Sequence, residues 1–477
     1  MISINRRSTA PYYQQIYARV AEDIRSGLYH AGERLPSIRQ LATQLAVSRN
    51  TVEQAYLLLV QDGYVDAHPG SGYVVNNTEQ KLELNSSFSD DYQRQLAELK
   101  ALHGAADAPK IVYDFAYDAM DPNVFPFAQW GRTMRDVLLS PQGSDICRYS
   151  DPRGLPELRE QLAQYLIREQ DIAAAPEQIL VAPTTRTLIA TILGLFDRTS
   201  TPIAMENPGY AEVANQCAAQ GFTVLPQTVY PASSWPEFVR NDHGARLIYV
   251  TPANQYPTNA IMQLDNREAL VAWAQKNDAY IIEDEYCHEF RYGTAHLPSL
   301  HALDPTGHVI TIGTFSKSFA PGLCLCYAVL PPALMKRWLE PKNHKHALVP
   351  WHTQAAFASF IAEGHWYKHL RKVQGAARKK YRALANALVA HMCGKVEVLD
   401  YEAGLHMLIR PRDARPSSEL LQAAAEHGVK LYPTDAHWMV DRPADWNFLL
   451  MGYSGIALAD IEPGVAALAE AWFGEGA

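Results

Sequence analysis

Apolar residues recur along this chain at two different periods, and the change of period divides it. Tyr13, Ile16, Tyr17, Val20 and Ile24 fall at helical spacing, and Gly27 closes that run. Ser37 and Gln40 form a capping-box pattern ahead of Leu41, Ala42 and Leu45. After a short turn at Ala46 and Val47, Ser48 caps a third helix with an inner face of Val52, Ala55, Tyr56, Leu59 and Val60. Two strand-like pieces, Tyr64 to Val65 and Tyr73 to Val75, flank a tight turn from His68 to Gly72. Three short helices followed by a small hairpin predict a winged helix-turn-helix over residues 1–76. The competing reading of the same pattern is a small helical docking domain.

Residues 77–112 lose this periodicity. They are rich in Asn, Ser, Asp, Glu, Gln and Ala and predict a tether, with a helical turn or two from Leu96 to Leu102. From about 113 onward, strand and helix patterns alternate. Strands are expected at Ile179 to Ala182, Ile203 to Glu206, Leu247 to Thr251, Tyr280 to Asp284, Val309 to Thr314 and Leu323 to Leu330. Helices are expected at Arg186 to Phe196, Tyr210 to Gln220, Asp265 to about Lys276, Thr353 to Glu363 and, strongly basic, Lys368 to Leu388. Such alternation predicts an α/β fold with a mainly parallel sheet, and a smaller α/β part from about 390 to 477.

Composition changes this picture little: 48% of residues are hydrophobic, 19% are charged and the formal net charge is -9. Nucleic-acid binding must then be local, because phosphates repel the chain as a whole. In the first module the cations are all arginine, which favours forked contacts over diffuse charge. The apolar run Leu188 to Phe196 is too short to cross a bilayer, and MISINRRSTAPYYQQ has no apolar stretch after its arginines. No membrane segment or signal peptide is expected. The six cysteines have no framework spacing and read as free thiols of a cytoplasmic protein. Cys324 and Cys326 are placed on one strand face, and His344, His346 and His352 on a solvated surface; no metal site is expected.

The helix beginning Ser-Arg-Asn-Thr presents its first residues as a recognition helix does to base edges in the major groove. GERLPSIRQLA, SRNTVEQAYLLLVQDGYV and PGSGYVV resemble the winged-helix domain of the GntR regulators. The resemblance implies DNA contacts from Arg34, Ser37, Arg39, Ser48, Arg49, Asn50, Thr51 and, in the wing, Gly72.

Ligands of open α/β sheets collect beyond the strand C-termini. One lysine, Lys317, stands there between two buried strands, where an ammonium is costly to desolvate. It is either a lysine that snorkels from a turn or a Schiff-base lysine for pyridoxal phosphate (PLP). The neighbouring strand ends supply what that cofactor needs. Asp284 can keep the ring nitrogen protonated, Tyr286 can donate to the phenolate oxygen and Tyr210 can cover the ring. Thr184, Thr185 and Arg186 open a helix and, with Thr314, offer hydroxyls and a cation to a phosphate. Asn254 completes the expected cofactor set.

The motifs YSDPRGLPELREQLAQYL, ENPGY, YVTPANQYPTN, IIEDEYCHEFRY, GTFSKSFAPG and AGLHMLI resemble the type I, aspartate aminotransferase-like fold of PLP-dependent transferases. The version fused behind a GntR helix-turn-helix is the MocR regulators, and both domains match in order. The resemblance implies Lys317 as the Schiff-base lysine, Asp284 on the pyridine nitrogen and Tyr286 on the phenolate oxygen. It also implies a head-to-tail homodimer that binds operator DNA and responds to an amine, an amino acid or PLP, without sustained turnover. A working aminotransferase and a PLP-free regulator are the alternatives. The chain departs from the family at Cys324, where an arginine is usual seven residues after the lysine, and at Pro183 to Arg186, where glycine and glutamines are usual. The strand Asn447 to Tyr453 lacks the arginine that grips an amino-acid carboxylate, leaving Arg410 and Arg442 as candidates.

Overall fold

Helices α1 (Tyr12–Arg25), α2 (Ile38–Leu45) and α3 (Arg49–Gln61) bury Ile16, Val20, Leu41, Val52, Ala55, Tyr56 and Leu59 against one another. Burial of each larger aliphatic side chain here is worth about 1.5–3 kcal/mol. Their ends are set locally. Ser37 Oγ accepts the Gln40 N–H at 3.2 Å, and Gln40 Oε1 accepts the Ser37 N–H at 3.0 Å. Ala46, in the left-handed region at φ 52°, turns the chain from α2 toward α3, and Ser48 Oγ then accepts the Thr51 N–H at 3.1 Å. Strands β1 (Val65–His68) and β2 (Gly72–Val75) pair antiparallel, and Arg34 adds a bridge to Val74.

This computed structural model describes residues 10–68, 72–76, 90–102, 110–230, 242–293, 297–340, 346–413 and 415–474. The expected wing turn falls partly on 69–71, outside the described residues, as do His344 and most of the expected tether. The chain divides into two compact units, Met1–Ala108 and Pro109–Ala477. In the first, helix α4 (Asp90–Leu102) extends well upstream of the turn or two expected from Leu96. Asp91 supports its first turns through Arg94 and Gln95, a charge pairing that apolar spacing does not register.

The second unit is built on a seven-stranded sheet. Its strands are β3 (Ile179–Ala182), β4 (Ile203–Asn207), β5 (Val224–Thr228), β6 (Leu247–Val250), β7 (Tyr280–Asp284), β8 (Val309–Thr314) and β9 (Cys326–Val329). The spatial order is β3-β9-β8-β7-β6-β4-β5, and only β9 runs antiparallel to its neighbours. Edge strand β5 has no counterpart in the sequence reading because Pro226 interrupts its pattern, which an edge tolerates. Register decides where chemistry gathers: Cys326 lies opposite both Ala182 and Thr314, and Asp284 opposite Ile312. The exits of β3, β7 and β8 therefore share one end of the sheet.

β9 begins later than the run from Leu323 predicts. A short 3-10 turn, Pro321–Leu323, ends at Cys324 with φ 52°, so the exposed Cys324 and the buried Cys326 do not share a strand face. The C-terminal part carries a four-stranded sheet of β10 (Val396–Leu399), β11 (His406–Pro411), β12 (Tyr432–Pro433) and β13 (Leu449–Gly452). Its order is β10-β11-β13-β12 and all its pairings are antiparallel. Helices His365–Met392, Ser417–Glu426 and Ile461–Phe473 bury Leu384, Leu388, Leu420, Val465 and Leu468 in the same core as Met407 and Leu449. Among the described residues no helix is long and apolar enough to cross a membrane, and no group of three or more His, Cys, Asp or Glu is placed to hold a metal ion.

Candidate functional site

The sheet end where β3, β7 and β8 finish opens into a cavity of about 370 Å³. Thr184, Thr185, Arg186, Tyr210, Asp284, Tyr286, Thr314 and Lys317 all line it. Asp284 and Thr314 reach it from the last positions of their strands, and the others from the segments that follow a strand. Lys317 follows β8; its ammonium lies 4.1 Å from the centre of the Tyr117 ring and donates to the Tyr117 carbonyl at 3.5 Å. Burial pushes the Lys317 pKa down, against the pull of Cys287, Asp118 and Asp284. Burial therefore makes the ammonium easier to deprotonate, and the neutral amine is the form that attacks a carbonyl.

Asp284 ends β7 almost wholly buried. Tyr249, on the adjacent strand β6, donates to its Oδ2 at 2.6 Å, while Oδ1 is buried with no partner. Burial pushes the carboxyl up to about 7, with the Tyr249 hydrogen bond pulling the other way. A buried carboxylate oxygen without a donor is costly, and a protonated ring nitrogen in the cavity would satisfy it. On that observation the site fits a pyridinium cofactor. Tyr286 keeps its proton, because burial holds its hydroxyl well above the usual range; it donates to the Asn254 carbonyl at 2.9 Å.

Part of the lining is a helix start. Thr184 is the N-cap of helix Thr185–Leu193, with its Oγ1 accepting the Thr187 N–H at 3.1 Å. The first N–H groups of such a helix have no carbonyl within it and face outward. Arg186, one residue into the helix, is exposed at the rim; its carbonyl accepts from Gln216 Nε2 at 2.8 Å, and among the described residues its side chain has no ion-pair partner. Thr314 Oγ1 accepts from Cys326 Sγ at 3.1 Å and from the Ser316 N–H at 3.1 Å. Cys324 stands at the same rim, its thiol 3.7 Å from the Pro321 carbonyl. Backbone N–H groups, hydroxyls and one cation make this the phosphate-compatible end of the cavity.

Asn254 does not line the cavity. Its amide is engaged with backbone on the far side: its nitrogen faces the Ala253 and Cys287 carbonyls at 3.2 Å, and its oxygen accepts the Gly404 N–H at 3.1 Å. Tyr256, two residues on, lines the cavity instead, packed edge-on against Tyr210 at 5.5 Å and His437 at 4.8 Å. The sequence reading also misses Tyr117, Tyr249 and Ser316. Tyr249 was legible in principle, since period 2 along Leu247–Val250 turns it to one face of a strand beside β7. Buried Glu206, in the ENPGY motif, accepts from Thr251 N–H at 3.0 Å and Thr251 Oγ1 at 2.6 Å, fixing the turn that carries Tyr256. Arg410 and Arg442 lie elsewhere, on a separate cavity of about 710 Å³. Arg410 pairs with Glu397 at 2.9 Å and Asp445 at 3.2 Å, and Arg442 pairs with Asp435.

In the first unit, Ser48, Arg49 and Asn50 are exposed at the start of α3, and Thr51 is half-buried beneath them. Arg34, Ser37 and Arg39 are exposed around the start of α2, and Gly72 opens β2 at φ +87°. None of the three arginines forms an ion pair with a described residue, so all are available to phosphate or base edges.

Residues 12–75 match the bacterial regulatory proteins of the gntR family, and residues 116–437 match aminotransferase class I and II. An uncharacterized HTH-type transcriptional regulator of Bacillus subtilis, YhdI, is 34% identical, covering 98% of this chain and 97% of its own. The probable rhizopine catabolism regulatory protein MocR of Rhizobium meliloti is 28% identical, covering 99% and 96%. Among solved structures, the α-aminoadipate aminotransferase LysN of Thermus thermophilus, complexed with N-(5'-phosphopyridoxyl)-L-leucine, superposes with a TM-score of 0.66. It is 23% identical over 76% of this chain and 92% of its own.

Proposed function

The chain belongs to the MocR-type transcription regulators, which join a gntR-family DNA-binding module to a PLP-dependent aminotransferase domain, and from that premise we propose that it senses a small amine or amino acid at the Lys317 cavity and passes that state to operator DNA. The observation that carries this reading is that Lys317, the unpartnered Oδ1 of Asp284 and a helix start line one cavity.

PLP, when bound, supplies an aldehyde that captures amines and a ring that draws electrons from them. The residues around it do the rest. Lys317, its ammonium destabilised by burial, would be the amine that holds the aldehyde. Asp284 Oδ1, which has no partner, would accept from the ring nitrogen, and Tyr249 fixes the carboxylate's orientation through Oδ2. Tyr286, whose hydroxyl here donates to the Asn254 carbonyl, would be the donor to the ring oxygen, and Tyr210 would cover the ring face. Thr184, Thr185, Arg186 and Thr314 would hold the phosphate. Binding of an effector amine beside Lys317 would change the closure of the cavity and so shift the population of DNA-binding arrangements.

The winged helix is assigned to residues 1–76, the tether to 77–112 and the effector domain to 113–477, with its smaller part from about 390. The working unit is a head-to-tail homodimer in the cytoplasm, since operator half-sites pair with a two-fold protein. Sustained turnover is not its role. Operator affinity of the PLP-loaded protein, measured with and without an effector amine, tests the reading. Affinity should change with amine in the parent and not in Lys317→Ala. An equal response in both would refute coupling through Lys317.

A further inference from the structure

We infer that the effector is a primary amine with an apolar body and no carboxylate, a conclusion that rests on the sensing role proposed for the Lys317 cavity. Charge accounting carries it. Among the described residues, the charged side chains lining the cavity are Lys317, Arg186, Asp284 and Glu212. Lys317 is the attachment point, and Arg186, in the first turn of the phosphate-compatible helix, is the cation assigned to the phosphate, so neither remains for a second anion. What is left is acidic and aromatic. Glu212 Oε2 accepts the Tyr210 hydroxyl proton at 3.0 Å and adds negative charge at the rim. Tyr117, Tyr256 and Tyr286 form the rest of that wall, with Leu408, Trp446, Phe448 and Leu450 packed behind Tyr256.

The two imidazoles in this wall supply no charge either. His406 donates from Nε2 to the Pro257 carbonyl at 2.7 Å, and His437 packs on Tyr256. Burial lowers both to about 4, so at neutral pH each keeps a single ring proton and carries no charge. The arginines of the C-terminal part lie on the separate cavity: Arg410 pairs with Glu397 and Asp445, Arg415 with Asp413 and Arg442 with Asp435, and Arg412 lines that cavity beside them. A carboxylate entering this cavity would be desolvated beside Glu212 and tyrosine rings with no partner. An ammonium entering it meets ring faces and carboxylates, which attract cations.

Matched pairs that differ only in the carboxylate isolate this effect. Holoprotein is titrated with phenethylamine against L-phenylalanine, and with isopentylamine against L-leucine, by calorimetry and by the visible spectrum. Each amine should bind at least about tenfold more tightly than its amino acid. Glu212 is exposed, so Glu212→Lys is tolerated by the fold; it should narrow both ratios severalfold by supplying a cation. Equal or tighter binding of the amino acids would overturn the inference, as would no binding of either amine. Ratios unchanged in Glu212→Lys would show that cavity charge does not set the preference. Pyridoxyl labelling of Lys317 is read on the same sample. A label at Lys317 with amino acids preferred sinks only the effector class, whereas a missing label sinks the sensing site itself.

Discussion

Replacing Arg186 with glutamine removes the charged side chain at the phosphate-compatible end of the cavity while keeping a polar group on the same helix. Cys324, at the position where the family carries an arginine, offers only a thiol already turned toward the Pro321 carbonyl. The compensating cation therefore falls to Arg186. A charge-assisted hydrogen bond is worth about 1.5–3 kcal/mol. Arg186 is exposed, so solvent screening places its contribution at the lower end. Arg186→Gln should then raise the Kd for PLP about tenfold at low salt, 1.4 kcal/mol per decade. Titration of the cofactor-free protein with PLP, followed by absorbance, reads this directly. The gap between parent and variant should shrink by about 0.5 M salt, where the screening length falls to about 4 Å. Cys324→Arg in the Arg186→Gln background should recover part of the loss. Its backbone already holds a non-glycine residue at φ 52°, so arginine adds no new strain there. If Arg186→Gln holds PLP as firmly as the parent at low salt, the helix start and hydroxyls suffice and the charge assignment is wrong.

Other outcomes follow from individual contacts. Tyr249→Phe leaves both Asp284 oxygens without a donor and should weaken PLP binding by about 1–3 kcal/mol, measured by the same titration. Arg49→Ala should cost about 1–3 kcal/mol in operator affinity and relax base selectivity; unchanged selectivity in a binding-site selection would remove Arg49 from the reading surface. Burial raises Asp284 and Glu206 to about 7 and Glu283 to about 8. The folded state therefore binds more protons than the unfolded one between the ordinary carboxyl range and pH 8, and stability of the cofactor-free protein should fall as pH rises through that window. Asp284→Asn should flatten this slope in a series of thermal melts, and a parallel curve would show that Asp284 ionises normally.

The DNA-binding module was legible because each of its signals is local: the Ser37–Gln40 capping box, the Ser48 cap and the buried face of α3 all involve residues within a few positions of each other. The parallel strands were equally plain as short apolar runs, and Lys317, Asp284 and Tyr286 could be placed because strand exits are where such folds keep their chemistry. What escaped depended on pairing across the chain. The antiparallel small sheet, edge strand β5 and the late start of β9 are set by partners tens of residues away. Asn254 was expected at the cofactor and does not line the cavity, whereas the turn fixed by Glu206 and Thr251 brings Tyr256 to it. Tyr249 went unremarked because a tyrosine in an apolar strand reads as core until Asp284 is seen beside it.

Borohydride reduction of the PLP-loaded protein, followed by peptide mapping, tests the central claim most directly. The pyridoxyl group should be found on Lys317, and Lys317→Ala should take up no label while keeping its fold by circular dichroism. A label on any other lysine, or a parent protein that acquires none, would contradict the assignment of this cavity as the cofactor site.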